Sequence, residues 1–139
     1  MAGILIQTAQ VTELAGITGE QLRYWKGALR PIAKRDGRKK GYSFAELVAI
    51  AAIGEAMAQF SLDISRFQES AEDFFAAVEA IVREQQTPGM VYLSGDQVSV
   101  GEPFPQDGEV ALVFQINRLA RRLREQMTSA PPPAQFSLI

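Results

Sequence analysis

The sequence predicts a mainly α-helical fold with small β elements, and three observations support this prediction. Apolar residues recur every three or four positions over most of the chain, as they do on the buried face of an α-helix. Thr18 and Ser43 stand directly before two of these segments, where a hydroxyl oxygen can cap a helix. The stretch near residues 90–100 instead has the pattern of two short strands around a tight turn.

Two short helices are predicted at the start of the chain. Thr8 is expected to cap the first helix, and Gly16 is expected to end it. Thr18 is expected to cap the second helix, in which Leu22 and Trp25 lie together on the side that faces the core. A helix, a tight turn and a second helix form an arrangement that can present the second helix to the major groove of DNA.

A charged loop and a third helix are predicted next. Residues 29–41 contain Pro31 and the run Lys-Arg-Asp-Gly-Arg-Lys-Lys, which indicates a charged hairpin or loop. Ser43 is expected to cap a helix that runs to about Gln59 and carries a broad apolar stripe. This helix is expected to complete the core of the N-terminal part.

A fourth helical segment has apolar residues at alternating four- and three-residue steps, a spacing that favours a helix packed against another helix. We assign this seam to dimerisation, because a two-fold dimer presents two DNA-reading helices one or more DNA turns apart. Packing within the core of one chain and the wall of a hydrophobic ligand pocket are the alternatives. The residues assigned to dimerisation are Phe67, Ala71, Phe74, Val78 and Ile81.

The C-terminal part is predicted to contain a β-hairpin and a final helix. Residues 90–93 and 97–100 read as the two strands of the hairpin. Residues 128–139 include three consecutive prolines and are expected to form a flexible tail. One apolar face of the final helix is expected to comprise Leu112, Ile116, Leu119, Leu123 and Met127.

Charge is divided unevenly along the chain, although the net charge is only −2. Residues 1–60 carry eight Lys or Arg and five Asp or Glu, a net charge of +3, whereas residues 61–139 carry six and eleven, a net charge of −5. All eight N-terminal cations lie between Arg23 and Lys40, with Asp36 as the one acidic residue among them. This stretch concentrates positive potential where DNA phosphates can be neutralised.

Three ordered segments resemble the MerR superfamily of winged-helix transcription regulators over about residues 4–65. Their sequences are GITGEQLRYW at residues 16–25, KGYSFAEL at residues 40–47 and FSLDI at residues 60–64. They are similar to the family's recognition helix, to the exit of its wing, and to the segment that introduces its later helices. The resemblance implies a winged helix-turn-helix, followed here by a helical dimerisation region, a β-hairpin and a C-terminal helix.

The resemblance also implies which residues of the second helix contact DNA. It places Glu20, Gln21, Arg23 and Tyr24 at the DNA surface, and Lys26 joins them as a cation on the same helix. The chemistry agrees, because Arg can bind guanine through two hydrogen bonds and a Tyr hydroxyl can hold a phosphate. A solvated helix face is the alternative reading of these residues.

The basic loop supplies the second group of candidate contacts. Arg38, Lys39 and Lys40 are expected to bind phosphates or to enter the minor groove, with a solvated turn as the alternative. Tyr42 is added as a base or phosphate contact, with core packing as its alternative. Trp25 is assigned to the core.

The function predicted from these features is a sequence-specific, double-stranded DNA-binding transcription regulator that acts as a homodimer. A phage-type DNA packaging or architectural protein, like a terminase small subunit or an excisionase, is one alternative. An antitoxin-like autorepressor is another, in which the acidic C-terminal half binds a protein partner. Ten acidic residues and two arginines between Asp63 and Glu109 suit such a partner, or serve solubility alone.

The remaining expectations follow from composition and pattern. The expected units are residues 1–62 for DNA binding, residues 63–127 for dimerisation or partner binding, and residues 128–139 as the tail. The sequence contains no Cys and no His, which excludes thiol-based sensing and catalysis through either side chain. We expect no enzyme activity, no cofactor and no metal. The absence of a signal-peptide pattern and of a long apolar run predicts a cytoplasmic, nucleoid-associated protein without membrane contact.

Overall fold

The computed structural model describes residues 5–33, 41–85, 89–101 and 110–129. As predicted, these residues are mainly helical and include a small antiparallel sheet. The helices are α1 (Thr8–Ala15), α2 (Gly19–Ala28), α3 (Arg30–Ala33), α4 (Phe44–Phe60), α5 (Ala71–Glu84) and α6 (Ile116–Ser129), and one 3₁₀ turn spans Ile64–Phe67. The strands are β1 (Met90–Ser94), β2 (Gln97–Val100) and β3 (Leu112–Gln115).

The first two helices lie where the sequence predicts them. Gly16 ends α1, and Thr18 caps α2 with its side chain, so both predictions are confirmed. The predicted cap at Thr8 is wrong, because Thr8 is already the first residue of the helix. Gln7 occupies the cap position, and its side chain forms no capping hydrogen bond.

Helix α4 is the centre of the fold. Ser43 caps it as predicted: the Glu46 N–H donates to the Ser43 hydroxyl oxygen at 3.1 Å, and the Ser43 N–H donates to the Glu46 carboxylate at 2.8 Å. The helix packs against α1, α5 and α6, and it is therefore buried on several sides rather than along one stripe. Such burial explains why small Ala residues dominate its sequence, since they allow neighbouring helices to approach closely.

The segment predicted as a charged loop contains a further helix. Arg30–Ala33 form α3, so the prediction of loop at these four residues is wrong. The Leu29 carbonyl accepts the N–H groups of Ile32 and Ala33, and the buried Ile32 side chain holds this turn against the core. Residues 34–40, which carry most of the predicted basic loop, lie outside the described residues.

The predicted hairpin is confirmed, and a third strand joins it. Strand β1 pairs with β2 on one side and with β3 on the other, both antiparallel, in the order β2-β1-β3. The assignment of Leu112 to the final helix is wrong, because Leu112 opens β3 and pairs with Leu93, and α6 begins only at Ile116. Leu112 meets both patterns, since it lies four residues before Ile116 and also alternates with Phe114.

The predicted dimerisation seam lies inside the protomer. Helix α5 begins at Ala71, and its apolar side packs against α4, α6 and the sheet. The Phe74 ring meets the Phe114 ring of β3 edge-on, with 4.8 Å between their centroids. Intramolecular packing therefore replaces the expected contact with a second copy, because the chain's own core buries all five residues: Phe67, Ala71, Phe74, Val78 and Ile81.

Candidate nucleic-acid interface

Helix α2 is anchored to the protein along one side only. Leu22 and Trp25 are buried, as expected for a core-facing pair, and Leu29 follows them on the same side of the helix axis. The assignment of Trp25 to the core is confirmed. Burying large apolar side chains is worth about 1.5–3 kcal/mol each, so these three residues anchor α2 to the core while its other side stays exposed.

A reciprocal cap defines where α2 begins. The Thr18 N–H donates to Oε1 of Gln21 at 2.8 Å, and the Gln21 N–H donates to Oγ1 of Thr18 at 3.0 Å. Gln21, a predicted DNA contact, is exposed, but its side-chain oxygen already accepts the hydrogen bond of this cap. Its amide nitrogen is the group left to face a ligand.

The outer side of α2 carries the other predicted contacts of this helix. Glu20, Arg23, Tyr24 and Lys26 are all exposed, and Tyr24 keeps 64% of its surface in contact with solvent. Helical geometry places Glu20, Arg23 and Tyr24 on one face, opposite Leu22 and Trp25. The structure thus brings three of the predicted residues together.

The two cations of α2 are not neutralised by neighbouring acids. Among the described residues, neither Arg23 nor Lys26 forms a salt bridge or a side-chain hydrogen bond. This differs from Arg83 on α5, whose guanidinium lies 3.6 Å from Glu79. Within the described ranges, Arg23 and Lys26 are therefore exposed cations without a salt-bridge partner.

The C-terminal end of α2 is supported by the later part of the chain. The Gln68 side-chain amide donates to the Ala28 carbonyl at 3.3 Å, across 40 positions of sequence. Nearby, Arg30 lies 3.4 Å from Glu72 at the start of α5. These contacts help to orient the end of α2 relative to the start of α5. Contacts between α1 and α2 alone would not fix this orientation.

The predicted contacts that follow α2 in sequence have different outcomes. Arg38, Lys39 and Lys40 lie outside the described residues. Tyr42 is 1% exposed, so its assignment as a DNA contact needs correction: in this conformation its ring belongs to the core. The reason is backbone pairing, since the Ile6 N–H donates to the Tyr42 carbonyl at 2.7 Å and the Tyr42 N–H donates back at 2.8 Å. This pairing fixes Tyr42, the second residue after the basic segment at residues 34–40.

The arginines of α6 lie in two kinds of surroundings. Arg122 pairs with Glu55 of α4 at 3.7 Å, and the Arg124 guanidinium lies 4.7 Å from the centroid of the Phe44 ring. Arg118 and Arg121 line an open groove of about 650 Å³ between α4, β3 and α6. Sequence reasoning missed this groove because it did not identify β3.

Metal and membrane sites are not supported by the described residues. Within the described ranges, no three His, Cys, Asp or Glu side chains are grouped so that they could hold a metal ion. No helix in these same ranges is long and apolar enough to cross a bilayer. The comparisons are equally negative, since no protein-family model matches the chain and no curated protein shows significant similarity to it.

Proposed function

We propose that the chain binds double-stranded DNA in a sequence-specific manner and regulates transcription as a homodimer, without a catalytic step. In this proposal α1 and α2 form a helix-turn-helix, and the basic segment at residues 34–40 is its wing. The observation that carries the proposal is the free outer side of α2. A helix anchored by Leu22 and Trp25 presents Arg23 and Tyr24 outward, and among the described residues no acidic side chain forms a salt bridge with Arg23.

Each exposed residue of α2 has a role in this proposal. Arg23 lies one turn into the helix, where its fork of N–H donors can bind the O6 and N7 atoms of guanine. Tyr24 and Lys26 contact phosphates on either side, which position the helix but carry no sequence information. Glu20 can accept a hydrogen bond from the exocyclic amine of cytosine.

The basic segment adds affinity that does not depend on sequence. It follows Ala33 of the short helix α3, and Gly41 separates it from Tyr42, which pairs with Ile6. Each phosphate that its Lys and Arg residues neutralise adds about 0.9 to the slope of log affinity against log salt concentration. Arg38, Lys39 and Lys40 are proposed to act in this way.

The test begins with selection of duplexes from a random DNA pool by the full chain, because its operator is unknown. Affinities for the selected duplex and for a scrambled one are then measured over a range of salt concentrations. Arg23→Ala should lower the discrimination between the two by about 1–3 kcal/mol. Lys39→Ala should weaken binding to both duplexes alike and reduce the salt slope by about one unit.

Arg83→Ala is the matched control, because Arg83 is an exposed arginine on α5, away from α2. It removes the same charge and should change neither discrimination nor slope. A pool without enrichment overturns sequence specificity and favours an architectural or packaging protein. Absence of any DNA binding overturns the proposal and favours the protein-partner alternative.

A further inference from the structure

Among the described residues, no strand pairs with the outer edge of β3. Strand β3 pairs with β1 on one side and forms the end of the sheet on the other. Its sequence, Leu-Val-Phe-Gln, contains no charge and no proline, the devices by which exposed edge strands usually avoid pairing with another chain. An edge of this kind is a template for an additional strand.

The hydrogen bonds at the ends of the ladder show which groups face this edge. The Ile116 N–H donates to the Gly89 carbonyl at 2.9 Å, which continues the register of β1 with β3. Since facing residues in an antiparallel ladder alternate between bonded and non-bonded pairs, Leu112 and Phe114 bond to β1. The backbone groups of Val113 and Gln115 therefore point away from the sheet, and no hydrogen bond from outside the ladder reaches them within the described part of the chain.

Apolar side chains collect around the same edge. Among the described residues, six large hydrophobic side chains are exposed, and three of them belong to this region: Phe60 at 54%, Val110 at 82% and Val113 at 49%. Phe60 and Val113 line the 650 Å³ groove, and Val110 lies two residues before β3. Single exposed apolar residues are ordinary, whereas a group of them beside an open strand marks an interaction surface.

We propose that a second copy of this chain occupies the edge, and that the two β3 strands pair antiparallel about a two-fold axis at Phe114. In this register Val113 of each copy faces Gln115 of the other, so the outward N–H and C=O groups satisfy one another. This inference names the interface of the homodimer in the proposed function, and it therefore rests on the proposal that the chain forms a homodimer.

The charges around the β3 edge permit contact between this edge and the same edge of a second copy. The groove is bordered by Arg118, Arg121 and Arg122 and by Glu55 and Glu125, and Arg122 pairs with Glu55, so its lining carries a net charge of only +1. In the proposed register Ile116 faces Leu112 of the second copy, and the two α6 helices begin four residues, or about 13 Å, apart along the strands. Salt screens exposed charges over about 8 Å at physiological ionic strength, which weakens the repulsion between the two sets of arginines.

The test measures the mass of the full chain by analytical ultracentrifugation, without DNA. The wild type should sediment as a particle of twice the chain mass of 15.2 kDa. Val113→Lys places two cations at the centre of the paired strands and should raise the dimer dissociation constant at least about tenfold. Val100→Lys is the matched control, because Val100 is 47% exposed on the opposite edge strand β2, and it should leave the dimer intact.

A second pair of variants tests the backbone itself. Val113→Pro removes an N–H that points outward and leaves the β1 ladder untouched, so it should also favour the monomer. Val113→Thr keeps that N–H and should remain dimeric. Circular dichroism melts identify any variant that fails to fold.

Three results would overturn the inference. The first is a wild type that stays monomeric up to about 100 µM, well above ordinary dimer dissociation constants. The second is a folded Val113→Lys variant that dimerises as well as the wild type. The third is a dimer that Val100→Lys breaks and Val113→Lys does not. None of these results bears on DNA contact by α2, which the Arg23→Ala comparison tests separately.

Discussion

Replacing Gly89 by alanine would test how closely the residue before β1 packs against the first turn of α6. Gly89 has a φ of 73°, in the left-handed region. A Cβ atom there would lie 2.1 Å from Nδ2 and 2.3 Å from Cγ of Asn117, where ordinary contacts are above 3.4 Å. The substitution therefore adds a steric overlap to an unfavourable backbone conformation.

The two costs can be estimated separately. An alanine in the left-handed region costs about 1–2 kcal/mol. Asn117 has a half-buried side chain that can turn aside, so displacing its amide costs a further amount of about 0.5–1.5 kcal/mol, as an off-rotamer side chain does. The sum is about 1.5–3.5 kcal/mol of unfolding free energy, and at roughly 3–4 °C per kcal/mol for a chain of this size the melting temperature should fall by about 5 to 14 °C.

Gly16→Ala is the matched control for the backbone cost. Gly16 has the same φ of 73°, but a Cβ atom there would meet nothing within 4 Å. Urea unfolding should show a loss of about 1–2 kcal/mol for Gly16→Ala and a clearly larger loss for Gly89→Ala. The difference between the two variants isolates the steric overlap.

Asn117→Ala completes a double-mutant cycle. If the overlap with Asn117 is the cause, Gly89→Ala should cost no more in the Asn117→Ala background than Gly16→Ala costs in the wild type. A Gly89→Ala penalty that is the same with and without the Asn117 side chain would refute the reasoning. So would equal penalties at Gly89 and Gly16.

Two further predictions concern the cap of α2 and the turn after α4. Thr18→Ala removes the reciprocal cap with Gln21 and should lower the unfolding free energy by about 1 kcal/mol, measured in urea. The Ser65 hydroxyl and N–H groups lower the pKa of Asp63 below its usual value. The stability contributed by this ionised carboxylate is therefore complete above about pH 4 and is lost as the pH falls further, a loss that Asp63→Asn should abolish when unfolding is followed against pH.

Both predictions have simple counter-tests. Thr12→Ala removes a hydroxyl from the middle of α1, where it bonds a carbonyl of the preceding turn and caps nothing, so it should cost less than Thr18→Ala. Equal costs would mean that the cap does not stabilise α2. For Asp63, an acid-induced loss of stability that is unchanged in the Asp63→Asn variant would contradict the assigned role.

Elements with a local signal were predictable from the sequence. The caps at Thr18 and Ser43 use a hydroxyl and a Gln or Glu three residues later, so they depend on neighbouring residues alone. The hairpin of β1 and β2 likewise closes over a two-residue turn. The anchoring of Trp25 followed from its spacing with Leu22 on one helix face.

Elements that depend on distant partners were predicted less well. Strand β3 has four residues, and its Leu112 also continues the apolar spacing of α6, so only pairing with β1 decides between strand and helix. Tyr42 carries a hydroxyl suited to phosphate, but its pairing with Ile6, 36 positions earlier, draws the ring into the core. Neither partner can be read from the local pattern.

The sequence by itself determined the helical class, the ends of the capped helices, the hairpin and the uneven charge, because each is set by residues within a few positions of one another. The tertiary structure decided which apolar faces meet within one chain. A periodic seam such as Phe67 to Ile81 has the same spacing whether a second copy or the chain's own sheet covers it. The contact of Phe114 with Phe74 shows that the chain's own sheet covers it.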